Sequence, residues 1–191
     1  VSIRKAAGAY ATVNAGVQID QTLLTGDQYA YQAYQDVTAF VNTNGAGSYT
    51  VANVATTTGS VGGGGNYGGW ALVVVYENLT LPYSSVRVYD GFVRVENNAT
   101  QAIQLTGLNA PGTPVLASDA YMSTMAWEGD GNLAATAQNP AGDYIKVNGT
   151  AVSNAVNPIT NFWNGTISKN GAHISTKNPN LLNQMGIDID E

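Results

Sequence analysis

The sequence contains no cysteine, which excludes disulfides, thiolate zinc sites, iron–sulfur clusters and cysteine nucleophiles. A chain without cysteine must be held together by its core, by bound ions or by its neighbours. Charge is nearly as scarce. Only 10% of the residues are charged, against roughly 25% in an ordinary soluble domain. The polar surface must then come from Asn, Gln, Thr, Ser and Gly, which suits an extracellular β protein better than a cytosolic enzyme. The seven basic residues, Arg4, Lys5, Arg87, Arg94, Lys146, Lys169 and Lys177, are scattered, and the net charge is −6. No basic stripe exists to neutralise phosphates, so neither nucleic acid nor an anionic membrane surface is an expected partner.

Long apolar runs are missing too. None reaches the roughly 18 residues of a membrane span. The start, Val1-Ser2-Ile3-Arg4-Lys5, has no apolar signal core, so an export signal is expected upstream or already removed. Histidine occurs once, as His173. A Ser-His-Asp triad would have to use it, and no Gly-x-Ser-x-Gly elbow places a nucleophile. No motif selects a pair of carboxylates for glycoside hydrolysis. The expectation is a protein that is not an enzyme.

What the sequence does have is strand chemistry. β-branched and aromatic residues recur in short runs between Gly, Asn, Asp and Pro. Residues 71–76 are nearly all apolar and read as a strand buried on both faces. Val86-Arg87-Val88-Tyr89 and Phe92-Val93-Arg94-Val95 flank Asp90-Gly91, a hairpin signal. Residues 48–54, 103–108, 121–127 and 144–147 are further expected strands. Helix is scarce, and its best stretch is 31–41, ending before Asn42-Thr43-Asn44-Gly45. A second short turn is expected near Asn157-Pro158. The Gly-rich segment 59–69 lacks the Gly-Lys-Ser/Thr ending of a phosphate loop and precedes a strand, so it reads as a permissive loop. With 191 residues and no linker or repeat, the chain is expected to be one domain, residues 1–191. The expected fold is all-β, an antiparallel β-sandwich of jelly-roll type with long Gly/Asn-rich loops and little helix.

Acidic pairs are the candidate metal ligands. Glu128 and Asp130 flank a glycine, and Asp188 and Asp190 stand two apart in a strand-like run that ends in Glu191. Alternation puts Asp188 and Asp190 on one side of a strand, with Ile187 and Ile189 expected to face the core. Two like charges on one face call for a cation or solvent between them. Calcium, which takes six to eight hard oxygen donors, is the ion these residues suit. The bland alternative is a solvated strand end and an ordinary acidic turn. The aromatics, Trp70, Trp127, Trp163 and eleven tyrosines, are mostly expected in the core or on sheet faces. An exposed set would stack on sugar rings, with Tyr29 and Tyr31 sharing one strand face. Four Asn-x-Thr sequons, at Asn78, Asn98, Asn148 and Asn164, are candidate glycosylation sites. Lys146, Lys169 and Lys177 are candidates for a Lys–Asn cross-link, although no spacing selects a pair.

Several segments also resemble a known family. They are Gly68-Gly69-Trp70-Ala71-Leu72-Val73-Val74-Val75-Tyr76-Glu77, Val88-Tyr89-Asp90-Gly91-Phe92, Trp127-Glu128-Gly129-Asp130, Asn161-Phe162-Trp163-Asn164-Gly165-Thr166-Ile167-Ser168, Lys177-Asn178-Pro179-Asn180 and Gly186-Ile187-Asp188-Ile189-Asp190. Asp36-Val37-Thr38 fits as well. In this order they resemble a β-sandwich domain of unknown function from large secreted bacterial and archaeal adhesin-like surface repeat proteins. The resemblance implies a cell-surface β-sandwich and no catalytic activity. Two departures stand out. Family members carry a further strand before the region matching Val1 and more strands after the Asp-Ile-Asp segment, so either truncation or a neighbouring copy is expected to account for the missing strands. Relatives also follow Glu128-Gly129-Asp130 with a Gly-Asp pair, where this chain reads Gly131-Asn132-Leu133-Ala134-Ala135-Thr136. That later acid is missing here.

The expected function is an extracellular structural or adhesive module. It would be a subunit of a surface fibre, sheath or adhesin that self-associates through strand and face pairing, stabilised by calcium. A lectin-like carbohydrate-binding module using exposed aromatics is the alternative.

Overall fold

The computed structural model describes the chain except residues 15, 17–18, 24–28, 57–67, 94, 96–98, 110–115, 117–119, 128, 130, 132–141 and 185. Its regular structure is all-β apart from one short helix. The described residues form two units, Val1–Phe92 and Val93–Glu191.

In the first unit, β1 (Ser2–Lys5) lies between β2 (Ala11–Thr12) and β5 (Tyr49–Ala52), antiparallel to both. Ile3 sits opposite Ala11 on one side and Val51 on the other, and among the described residues it is the buried apolar residue of this unit, at 3% exposure. β3 (Ile19–Leu23) and β4 (Tyr29–Ala33) form a separate antiparallel pair. The helix α1 spans Thr38–Asn44. Asp36 precedes it and accepts a hydrogen bond from the Thr38 amide at 2.8 Å, which satisfies one of the donors a helix start leaves open. Gly45 ends it at φ 68°, its amide donating to the Val41 carbonyl at 2.7 Å. Phe40 on the helix meets Tyr49 of β5 edge to face, 6.2 Å between ring centres.

The expected helix at 31–41 is therefore corrected. Tyr31 and its neighbours are drawn into β4 by pairing with β3, and the helix starts only after Asp36. It also runs through Asn42, Thr43 and Asn44, which were expected to be loop. Residues 71–76 form no strand. Val73, Val74, Val75 and Tyr76 are 56–71% exposed rather than buried on both faces. A run without polar alternation needs cover on both sides, and no described strand pairs with it. The Asp90-Gly91 hairpin is absent as well. Neither residue adopts the positive φ that both centres of a type I′ turn require, and Asp90 instead accepts a hydrogen bond from Gln32 at 2.7 Å. Residues 103–108 are exposed and outside any strand.

The second unit contains β6 (Thr124–Trp127), the hairpin β7 (Lys146–Val147) to β8 (Thr150–Ala151), and β9 (Ile167–Lys169), β10 (Ala172–His173) and β11 (Ile187–Asp190). Two Asn-Gly dipeptides close its hairpins. Asn148-Gly149 has φ 49° and 82°, and Asn170-Gly171 has φ 51° and 69°, the left-handed pair that matches strand twist. The main sheet runs β10-β9-β11-β6. β11 is antiparallel to β6 and parallel to β9. Its burial runs opposite to expectation: Asp188 and Asp190 are the buried residues and Ile187 and Ile189 are only half-buried. Phe162, at 3% exposure, is the buried apolar residue of this unit among those described. Among the described residues its other buried side chains are polar: Asn157, Asn161, Ser168, Asp188 and Asp190.

Candidate functional site

The buried acids of β11 are held by the segment 157–168. Alternation along β11 turns both carboxylates to one face, and the parallel register sets Asp190 beside Ser168. One oxygen of Asp188, Oδ1, accepts hydrogen bonds from the Gly165 amide at 2.8 Å and the Thr166 amide at 3.1 Å. Oδ1 of Asp190 accepts from the Ser168 hydroxyl at 2.8 Å. Asn157, wholly buried, donates from Nδ2 to the Ser168 hydroxyl at 3.2 Å and accepts from the Thr166 hydroxyl at 3.1 Å. Asp143 extends the group, its Oδ1 accepting from the Trp163 amide at 3.1 Å.

The second carboxylate oxygens of the two β11 acids lack donors. Oδ2 of Asp188 and Oδ2 of Asp190 are buried with no hydrogen-bond partner, as are Oδ1 of Asn161 and Oδ1 of Asn164. Oδ2 of Asp188 lies against Gly129. A methyl group placed there would overlap that oxygen and stand 2.7 Å from the Trp163 carbonyl oxygen. Only glycine leaves room for these two oxygens.

Electrostatics reflect this crowding. Burial pushes the Asp188 carboxyl up to about 7, against the Thr166 and Gly165 amides that pull it down, and the Asp190 and Asp143 charges add to the rise. Burial also raises Asp190 and Asp143, each opposed by its own hydrogen bonds. Among the described residues, the charges that reach Asp188 are thus acidic. Glu191 is turned outward to an exposed ion pair with Lys169 at 3.1 Å.

Of the four candidate metal ligands, the structure brings together Asp188 and Asp190. Glu128 and Asp130 lie outside the described residues. Among the described residues no three Asp, Glu, His or Cys side chains are grouped to hold a metal. A cation here would draw on amide and carbonyl oxygens beside the two carboxylates. The sequence reading missed Asn157, Ser168, Thr166 and Asp143. Thr166 and Ser168 were named only within the resembling segment 161–168, and Asn157 only in an expected turn.

The remaining candidates are spread out. Asn78 is exposed and forms an Asx turn, its Oδ1 accepting from the Thr80 amide at 3.0 Å and hydroxyl at 2.8 Å. Asn148 is exposed at the tip of the β7–β8 hairpin, whereas Asn164 is half-buried with its amide donating to the Val156 carbonyl at 2.8 Å. Asn98 lies outside the described residues. Trp127 and Trp163 are half-buried and Trp70 is exposed. Tyr31 is also exposed, while the Tyr29 side chain lies outside the description. Lys146 sits over the Tyr144 ring, Lys169 pairs with Glu191, and Lys177 lies 2.8 Å from His173 Nε2. Most of the 59–69 loop lies outside the described residues. Among the described residues no helix is long and apolar enough to cross a membrane. No family model matches the chain, and neither a curated protein nor a solved structure does, so its functional reading rests on its own residues and geometry.

Proposed function

We propose that the chain is a non-catalytic structural or adhesive module of an extracellular fibre, sheath or adhesin. It assembles with its own kind through strand and face pairing, and calcium stabilises it. In this reading the fold is a jelly-roll-like sandwich, in line with the resemblance to adhesin-like surface repeat domains. The observation that carries the proposal is the exposed run Val73, Val74, Val75 and Tyr76, 56–71% accessible and outside any described strand. Such a segment has strand-forming side chains and pairs with no described strand, the combination that templates strand addition. Apolar burial within the described units is small, so covering this run on assembly would add to stability.

Electron microscopy of concentrated protein tests the proposal. Ordered fibres or sheets are expected, and Val74→Lys should abolish them while leaving the melting temperature of the dispersed protein unchanged. Dispersed particles at every concentration would overturn it. A second reading, carbohydrate binding, draws on Tyr83 and Tyr76, 97% and 71% exposed. Stacking on a sugar ring needs such an open aromatic face. Glycan-array binding that is lost in Tyr83→Ala would favour it.

A further inference from the structure

We infer that Asp188 and Asp190 are the two anionic ligands of a buried calcium site internal to one chain, which clasps β11 to the segment 157–168. The inference rests on the calcium-stabilised module proposed above and gives the ion a place and a role.

Four acceptor oxygens are buried here without donors: Oδ2 of Asp188, Oδ2 of Asp190, Oδ1 of Asn161 and Oδ1 of Asn164. Asp188 is 0% exposed, Asp190 2% and Asn161 7%, so water has little access to them. Oδ2 of Asp188 and the Trp163 carbonyl oxygen crowd the same side of Gly129. Two carboxylates buried on one strand face, each with an oxygen that no donor meets, repel unless something positive lies between them. The neutral partnerless groups nearby, the Trp163 indole and the Thr124 hydroxyl, carry no charge to offset two carboxylates. Among the described residues Asp143 is a further acid beside this segment, its Oδ1 accepting from the Trp163 amide.

A hard divalent cation answers this arrangement. Its two charges balance two carboxylates, and it takes neutral amide and carbonyl oxygens as further ligands. Calcium suits it better than magnesium, because magnesium demands a strict octahedron and keeps several waters. The donors come from β11 and from residues 161–164, so a bound ion ties the central strand of the sheet to a segment from which β9 continues. Because the carboxylates are fully covered, the ion is enclosed by a single chain and is not shared between subunits.

Calcium titration into the full chain after chelator treatment, at pH 7.5, tests this by calorimetry and native mass spectrometry. The expected result is one calcium per chain, bound at least tenfold more tightly than magnesium. Asp188→Asn and Asp190→Asn should each weaken binding at least tenfold. Asp188→Asn keeps an oxygen to accept from Gly165 and Thr166 and so should remain folded by circular dichroism. Terbium provides a second readout, with emission sensitised by Trp163 and lost in Trp163→Phe. A folded wild-type chain that binds no calcium would overturn the inference, and so would unchanged affinity in both Asp variants. Fibre formation is scored on the same samples. Fibres without calcium binding would overturn the clasp alone, whereas calcium binding by a chain that never assembles would support the clasp and overturn the assembly reading.

Discussion

Ser168 stands beside Asp190 across the parallel pairing of β9 and β11, and its hydroxyl donates to the carboxylate at 2.8 Å. The same hydroxyl accepts from Asn157. One small side chain therefore satisfies an acid and an amide at once, both inside the protein. Ser168→Ala removes a donor from the first and an acceptor from the second. A loss of about 1–3 kcal/mol is expected for buried groups left unpaired. Urea unfolding of variant and parent measures it, and an unchanged midpoint would show that the pairing contributes nothing.

Gly129 is the position least able to accept a side chain. Gly129→Ala would drive a methyl group into Oδ2 of Asp188 and crowd the Trp163 carbonyl. Neither group yields easily, since Asp188 is anchored by two amides and the carbonyl belongs to the backbone. The expected cost is about 2–4 kcal/mol, in the range of a strongly overpacked site. Thermal unfolding of the variant reads it directly, with Gly131→Ala as the milder comparison.

The raised carboxyl of Asp188 gives a definite pH dependence when metal is chelated. The folded state keeps a proton up to about pH 7, whereas the unfolded chain releases it near the ordinary value of 3.8. Between those limits the folded state binds more protons. Stability is then full at low pH and falls as pH rises through the folded value, with a slope no steeper than about 1.4 kcal/mol per pH unit for one proton. Asp190 and Asp143, also raised by burial, act in the same direction. Melting temperatures in chelator should fall from pH 5 to pH 8. Millimolar calcium should remove that fall by stabilising the ionised pair. A melting temperature that rises with pH in chelator would contradict this picture.

The sequons should separate by exposure. Expressed in a host that glycosylates Asn-x-Thr, the chain should carry glycan at Asn78 and Asn148 and none at Asn164 in the folded protein. The first two are exposed, and the Asn164 amide is committed to the Val156 carbonyl. Peptide mapping by mass spectrometry gives the occupancy of each. Glycan at Asn164 would mean that modification precedes folding.

The all-β class was legible from the residue types, and so was the same-side placement of Asp188 and Asp190, because strand alternation depends only on the backbone. Which face of β11 points inward was not. The apolar choice, Ile187 and Ile189, is the natural one when burial is judged by transfer energy alone. It is overridden by amides at Gly165 and Thr166 and a hydroxyl at Ser168, which lie some twenty residues away and reach the acids only in the folded chain. A nearer partner defeated the helix reading at 31–41, where antiparallel pairing with β3, ten residues back, recruits Tyr31. Turn chemistry was readable only in part. Asn148-Gly149 closes a hairpin and Asp90-Gly91 does not, although both dipeptides favour the same turn.

The order of strands in the second unit bears on how it is made. β11 is the latest of the four in the sequence, yet it lies between β9 and β6. A chain that leaves the ribosome from its N terminus presents β6 with no neighbour until β11 emerges, after the intervening sixty or so residues. The sheet therefore cannot close by stepwise growth from a first hairpin. Among the described strands, β6 and the β9–β10 hairpin join one sheet only through β11, the strand that bears the two acids.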